Sequence, residues 1–443
     1  MATLKVQRPN GTKDVVPSQM YKWNTVEALV KSHAEAYGFK EIRIPTFEST
    51  SLFVRSVGDT TDVVQKEMYS VSATGDEGYT LRPEGTAGTI RALIENGLLN
   101  DGLPQKLFYV LSCFRHEKPQ AGRLREFHQF GVEMAGTKDP RADAEVISLA
   151  KSILDVAGLR NIQLNINSIG CPECRAQYQQ ALKDYFTPHI DKLCDTCHTR
   201  LEKNPLRLLD CKSEICSEIA KDAPSILDHL CDDCRGHFEK LQGYLTAMGI
   251  EYKINDRIVR GLDYYTKTVF EFVSEDIGSQ GTVCGGGRYD GLIETLSDKP
   301  CPALGFGMGL ERLILTMENQ GVEFAEEESC DIYIGSMGDA AAVKAMQICR
   351  ALRADGVRAE CDVVGRSVRA QMKYADKLGA KFSVVIGDSE LEAGKAALKD
   401  MKSGEQNDIP LDDRFGSVFN ALLISRALED DGLEDALGGL LSE

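Results

Sequence analysis

Apolar residues recur at helical spacing over residues 18–37, where Val26, Leu29, Val30, His33 and Tyr37 share a face and Gly38 follows as a stop. The next stretch, Phe39 to Phe47, alternates as a strand does until Pro45 interrupts it, which predicts an edge strand or one ending at a contact surface. Phe108–Phe114, Glu126–Glu133 and Val269–Val273 are further predicted strands, with turn-rich segments between them. Met308–Asn319 puts Leu310, Leu313, Ile314 and Met317 on one apolar face of a predicted helix. Strands with helices set apart, rather than in strict alternation, predict an α+β fold around an antiparallel sheet.

Beyond an acidic linker starting at Gly321 the pattern changes. Ile332–Gly335, Val357–Val363 and Phe382–Gly387 are predicted strands, with helices at Val343–Leu352 and Val368–Leu378 between them. This βαβαβ series predicts a small α/β domain with a mostly parallel sheet. From Ser403 onward ten acidic and two basic residues predict a solvated tail region. The length of 443 residues suits about three domains. Residues 1–169 and 243–322 form the expected first domain, 170–242 an insertion, 323–330 a linker and 331–443 the last domain.

A net charge of −17 argues against a wholesale basic coat for nucleic acid, although a local basic face suffices for binding. Lys344 to Lys381 holds nine basic and four acidic residues, and Arg366, Arg369, Lys373 and Lys377 fall at helical spacing. A solvated helix face is the bland alternative. No apolar run reaches the roughly 18 residues of a membrane span, and the start lacks the apolar stretch of a secretory signal. A cytoplasmic chain with no membrane partner is therefore expected, its cysteines present as reduced thiols or metal thiolates.

Three constellations carry candidate chemistry. The first joins Leu81-Arg-Pro-Glu-Gly-Thr-Ala to a strand, the run Phe114-Arg-His-Glu, a polar loop and a returning strand. A guanidinium on a rigid strand holds phosphate through two parallel hydrogen bonds, so Arg115 and Glu117 are placed to grip a nucleotide from its phosphate and base sides. An Arg–Glu cross-strand pair is the alternative. The second joins Arg260-Gly-Leu-Asp-Tyr-Tyr to Gly285-Gly-Gly-Arg-Tyr-Asp-Gly-Leu, where glycines allow close backbone approach to a ligand; a hairpin turn is the plainer reading. The third, Ala303-Leu-Gly-Phe-Gly-Met-Gly-Leu-Glu-Arg, runs a glycine-rich strand into a helix and sets Arg312 off its apolar stripe. It is neither a P-loop nor a dinucleotide fingerprint.

In order, these constellations resemble motifs 2 and 3 of class II aminoacyl-tRNA synthetases, with the first helix and Pro45 resembling motif 1. Arg260-Gly-Leu-Asp-Tyr-Tyr and Gly286-Gly-Arg-Tyr-Asp-Gly-Leu are similar to the two signatures peculiar to the histidyl-tRNA synthetase family. The resemblance implies ATP-dependent formation of histidyl-adenylate from L-histidine and transfer to the 3′ end of tRNA-His, with Mg²⁺ on the outgoing pyrophosphate. It implies Arg115 on the α-phosphate and the histidine carboxylate, Glu117 at adenine, Arg312 at the γ-phosphate, and Arg260 as a catalytic arginine. Glu84, Thr86 and Gln129 match residues around the α-amino group; Glu133, Tyr264, Tyr265 and Tyr289 match the histidine pocket. Lys118, Gln120, Arg123 and Arg125 match the loop that meets the tRNA acceptor end. The basic face at 366–377 matches an anticodon-binding domain, and motif 1 implies a homodimer.

The insertion carries Cys171-Pro-Glu-Cys174, Cys194-Asp-Thr-Cys197, Cys211 with Cys216, and Cys231-Asp-Asp-Cys234. Three CxxC pairs have the bite of a zinc knuckle, and eight ligands suffice for two Cys₄ zinc sites or for one with four free thiols. A helical module with incidental buried cysteines is the alternative. A reading from another class is the synthetase-like regulatory subunit of ATP phosphoribosyltransferase in histidine biosynthesis. That protein would lack the terminal domain and carry damaged signatures.

Overall fold

Proline in the first turn and Gly38 two residues past the end bracket the first helix, α1 (Pro17–Ala36), which buries Val26, Val30 and Ala34. The computed structural model describes residues 6–58, 61–72, 78–209, 211, 213–258, 262–276, 281–324 and 330–430. The chain forms two units, Met1–Ala325 and Glu326–Glu443.

The first unit is built on a sheet of β1 (Lys40–Glu41), β2 (Gln105–Phe114), β3 (Glu126–Ala135), β4 (Ile162–Ser168), β5 (Lys253–Ile254), β6 (Thr266–Ser274), β7 (Thr282–Arg288) and β8 (Ala303–Gly309). Their order is β1-β2-β3-β8-β7-β6-β4-β5. Only the outermost pairs, β1 with β2 and β4 with β5, are parallel. Side chains alternate between the two faces of a strand. One face therefore presents Phe130, Val132 and Met134 of β3 and Leu304, Phe306 and Met308 of β8, all buried against α1, α3 (Pro140–Val156) and α8 (Leu310–Asn319). The Phe306 ring lies 5.8 and 6.5 Å from those of Phe130 and Phe270. Losing such a buried ring costs about 3–5 kcal/mol. The opposite face is left for α2 (Thr86–Glu95) and the cleft.

A charged group fastens α3 to the sheet. Arg288, with no exposed surface, pairs with buried Asp143 at 2.7 Å and donates to the carbonyls of Thr137 and Asp139 and to Asp290. His237 lies 3.2 Å from the same carboxylate. Arg288→Met strands the Asp143 charge in the interior, so urea unfolding should record a loss of about 3–5 kcal/mol. A loss below about 1 kcal/mol would assign Arg288 no structural part.

The insertion is mainly helical, with α4 (Pro172–Phe186), α5 (Asp195–Lys203) and α6 (Glu214–Ala220) around a small core that includes Tyr178, Leu182, Phe186 and Leu208. Helix α7 (Asp232–Ala247) begins there and continues into the main core through Phe238, Leu241 and Leu245. The expected boundary at 242 thus falls inside a continuous helix.

The second unit holds β9 (Ile332–Ser336), α9 (Asp339–Ala354), β10 (Ala359–Cys361), α10 (Val368–Lys377), β11 (Phe382–Ile386), β12 (Lys395–Asp400), β13 (Gln406–Pro410) and α11 (Phe415–Asp430). Its sheet order is β10-β9-β11-β12-β13, parallel through the first three strands and antiparallel beyond.

The structure corrects four expectations. The strand expected over Phe39–Phe47 survives only as Lys40–Glu41, because after Pro45 the chain leaves for a separate three-stranded sheet at Phe47–Ser49. Gly285–Gly287 is no hairpin turn but the interior of β7, between β6 and β8. Met308 and Gly309 end β8, so the motif 3 helix starts at Leu310. The stretch from Ser403 is not simply a solvated tail: its acidic residues flank Ile409, Leu411, Phe415 and Phe419, which are buried in the core of the second unit.

Candidate active site

Glycine makes the room for the cleft. The register sets Gln129, Gly131 and Glu133 of β3 opposite Gly309, Gly307 and Gly305 of β8, and the latter two oppose Gly285 and Gly287 of β7. The cleft side of the middle strands is therefore almost bare backbone. At Gly305 a Cβ would stand 2.1 Å from the Val132 carbonyl and 2.2 Å from Glu133, and at Gly307 2.3 Å from Gln129. Any side chain there would displace the groups that line the site.

Glu133 stands on this floor, 1% exposed. Tyr109 donates to its Oε1 at 2.9 Å, and Tyr289 donates to Oε2. Burial pushes its carboxyl up to about 8, against the opposing pull of the Tyr289, Thr86 and Tyr109 hydroxyls. A carboxylate has about four lone-pair positions, so with three hydroxyls on Glu133 about one stays open to a ligand N–H. The rings of Tyr264, Tyr265 and Tyr289 pack together, with centroids 4.7, 5.4 and 6.3 Å apart. Beside them the buried Glu84 accepts the backbone N–H groups of Thr86 at 2.7 Å and Ala87 at 2.9 Å, at the start of α2. Burial raises the Glu84 carboxyl while those amides and Arg115 oppose it. Gln129 accepts the Gly85 N–H at 3.0 Å. Glu84, Thr86, Gln129, Glu133, Tyr264, Tyr265 and Tyr289 thus converge.

The other end of the cleft is cationic. Arg115 follows the end of β2; its Nε donates to the Pro83 carbonyl at 2.8 Å, and its guanidinium lies over the Phe127 ring at 5.3 Å. It does not form the cross-strand pair with Glu117, which meets Arg123 at 2.8 Å instead. Arg312 donates to the carbonyls of Gly122 at 3.1 Å and Thr282 at 2.7 Å, and burial with nearby Arg123 and Arg115 lowers its pKa. Burial raises the Glu117 carboxyl, and Arg123, Arg115 and Arg312 all draw it back down. Three guanidinium groups thus surround one carboxylate. Arg115 and Arg123 also line a cavity of about 560 Å³. Because Arg115 acts on Glu84 as well as on Glu117, it joins the anionic and cationic ends of the cleft.

Arg260 lies outside the described residues. Lys118 and Gln120 are exposed on the β2–β3 loop. Arg125 is turned back toward the N-terminal segment, donating to the Asn10 and Glu117 carbonyls at 3.4 and 3.2 Å. In the second unit Arg369, Lys373 and Lys377 are exposed along α10. Arg366 is a correction: it precedes the helix, pairs with Asp362 at 2.8 Å and lies 4.4 Å from the Tyr374 ring centroid. The sequence reading missed Tyr109, although a tyrosine alternating with core Phe108 on one strand signals a hydroxyl on the opposite face. It also missed Glu311, which accepts the His128 N–H and binds its ring at 2.9 Å.

A family model for histidyl-tRNA synthetase matches residues 11–313, and one for an anticodon binding domain matches residues 331–418. The histidine–tRNA ligase of Acetivibrio thermocellus is 56% identical over 92% of this chain and 97% of its own length. That of Clostridium novyi is 55% identical over 92% and 97%. The crystal structure of apo Staphylococcus aureus histidyl-tRNA synthetase, 38% identical, superposes with a TM-score of 0.80 over 94% of this chain and 99% of that one.

Proposed function

The chain belongs to the histidyl-tRNA synthetase family and ligates L-histidine to tRNA-His at the expense of ATP, by way of histidyl-adenylate, and from this we propose which residues do the work. The α-amino group of histidine is held by Glu84, Thr86 and Gln129. Its imidazole N–H is accepted by Glu133, with Tyr264, Tyr265 and Tyr289 enclosing the ring. The histidine carboxylate attacks the α-phosphorus, which gathers negative charge on a crowded phosphate. Arg115, between the two ends of the cleft, steadies both the carboxylate and that charge, and Arg260 acts from the opposite side. Glu117 faces adenine and Arg312 the γ-phosphate. Glu271, on the cleft face of β6 opposite Gly285 and near Arg312, is the carboxylate that would hold a Mg²⁺ bound with ATP, and such an ion would supply positive charge to the departing pyrophosphate.

The observation carrying this reading is the position of Arg115 within electrostatic reach of both Glu84 and Glu117. Histidine-dependent ATP–pyrophosphate exchange tests it. Exchange that needs histidine supports the assignment, whereas a folded protein without exchange would overturn it; the terminal anticodon-binding domain and the ligase relatives disfavour the regulatory-subunit reading.

For tRNA, Lys118 and Gln120 extend from the β2–β3 loop toward the acceptor end, with Arg123 and Arg125 behind them. Catalytic residues lie in 1–169 and 243–322, and 331–443 reads the anticodon through Arg369, Lys373 and Lys377, with Arg366 buttressing the start of α10. Replacing the three exposed residues by Ala should weaken tRNA binding and flatten its log–log salt dependence by roughly 2 to 3, with exchange unaffected. An unchanged slope removes the assignment. Among the described residues no helix is long and apolar enough to cross a membrane. A homodimer contacting through α1 and the Pro45 segment fits the exposed Val16, Met20 and Phe47 there, and kinship with bacterial histidine–tRNA ligases fits a cytoplasmic location.

A further inference from the structure

We propose that the insertion holds two structural zinc ions, one on Cys171, Cys174, Cys231 and Cys234 and one on Cys194, Cys197, Cys211 and Cys216. Within each set the four Sγ atoms lie within 4.8 Å of one another. Four thiolates about 2.3 Å from a tetrahedral zinc stand roughly 3.8 Å apart. The Cys171–Cys174 and Cys194–Cys211 sulfurs are 3.5 and 3.8 Å apart. A disulfide brings its sulfurs to about 2.05 Å, and all eight cysteines are free. The chain folds so that the first CxxC meets the last and the second meets Cys211 and Cys216, so each set unites distant segments.

The backbone around each set is arranged for thiolate. Cys171, Cys194 and Cys231 each occupy the N-cap of a helix (α4, α5 and α7) in extended conformation, yet none caps it with its side chain. Caps are ordinarily Ser, Thr, Asp or Asn; here the sulfur turns to the cluster. The Cys231 N–H donates to Cys174 Sγ at 3.1 Å and the Cys194 N–H to Cys216 Sγ at 3.3 Å, as outer partners of metal ligands do. A zinc with four thiolates carries two net negative charges, which suits three helix N-termini. All-sulfur tetrahedra select zinc or iron over hard cations.

The need for metal follows from the size of the module. Apart from Cys174, Cys197, Cys216 and Cys234, its buried core is ten aliphatic and aromatic side chains, two of them alanines. A core that small is commonly stapled by metal or disulfide. Neither site enters the adenylation chemistry. The second stands beside it, because Cys194 and Cys211 line the same cavity as Arg115 and Arg123. The first is carried on α7, whose His237 reaches Asp143 and hence Arg288.

Metal analysis of the full-length protein, purified without chelator, is the test. The expected result is two zinc ions per chain, with eight of the fourteen thiols reacting only as zinc is released. Cys216→Ser and Cys234→Ser should each lower the content to one. Exchange into Co²⁺ should give tetrahedral d–d bands and sulfur-to-cobalt charge transfer, readable on the unmutated chain if either variant fails to fold. Metal-free protein with eight reactive thiols, intramolecular disulfides by mass, or iron in place of zinc overturns the proposal. A single zinc per unmutated chain overturns the two-site assignment.

Discussion

Arg115→Ala should lower histidine-dependent ATP–pyrophosphate exchange by about 10²–10³-fold. The guanidinium is fixed before ATP arrives, by the Pro83 carbonyl on one edge and the Phe127 ring against its face. A donor so held need not reorganise as charge builds on the α-phosphate. Lysine offers a point charge without the planar fork, so Arg115→Lys should recover little of the loss. The fall should lie in kcat at saturating ATP and histidine. A rise confined to KM would reduce Arg115 to ground-state binding.

Glu133→Gln should lower kcat/KM for histidine by roughly 10- to 10²-fold, the about 1.5–3 kcal/mol of a hydrogen bond to a charged group, because the amide cannot take up the charge that an imidazole N–H favours. Tyr109 and Tyr289 still find an oxygen or amide partner, so the fold should persist. The same group sets a pH dependence. Its carboxyl ionises at about 8 in the folded protein, against an ordinary 4.5. A raised carboxyl stabilises the folded chain fully below about 4.5, and that stabilisation is lost as pH rises through about 8. Thermal stability of the ligand-free protein should decline across this window. Histidine, whose imidazole N–H favours the ionised form, should lessen the decline, and Glu133→Gln should flatten it. Melting curves with and without histidine decide it; identical slopes in parent and variant would dissociate Glu133 from the effect.

Much of this cleft was legible in the sequence because its parts are strongly patterned. The Arg115–Glu117 run, the glycine-spaced strand into Arg312 and the Tyr-rich signature each announce themselves locally, and the alternation in β3 and β8 follows from which residues can be buried. What was not legible depends on register. Nothing local says that Gly285–Gly287 continues a strand, since glycine has no side chain to alternate and the pairing with β6 and β8 is tertiary. Arg288 sits in a signature that suggests ligand contact, yet it holds Asp143 in the interior. The partner was 145 residues away in sequence. Arg366 shares helical spacing with Arg369, but Asp362 and Tyr374 hold it in the irregular segment before the helix. The chain beyond Ser403 has an acidic composition that obscures four well-spaced apolar residues, enough to place a strand and a helix on the second core.

The glycine floor limits how substrate choice can change. Truncating a lining side chain enlarges an ordinary pocket, but Gly131, Gly305 and Gly307 have nothing to trim, and a methyl at Gly305 would collide with the Val132 carbonyl and Glu133. Mutation there can only raise the base. Accepting an amino acid bulkier than histidine would have to come from the walls, by shortening Tyr264, Tyr265 or Tyr289, and would sacrifice hydroxyls such as the one Tyr289 donates to Glu133.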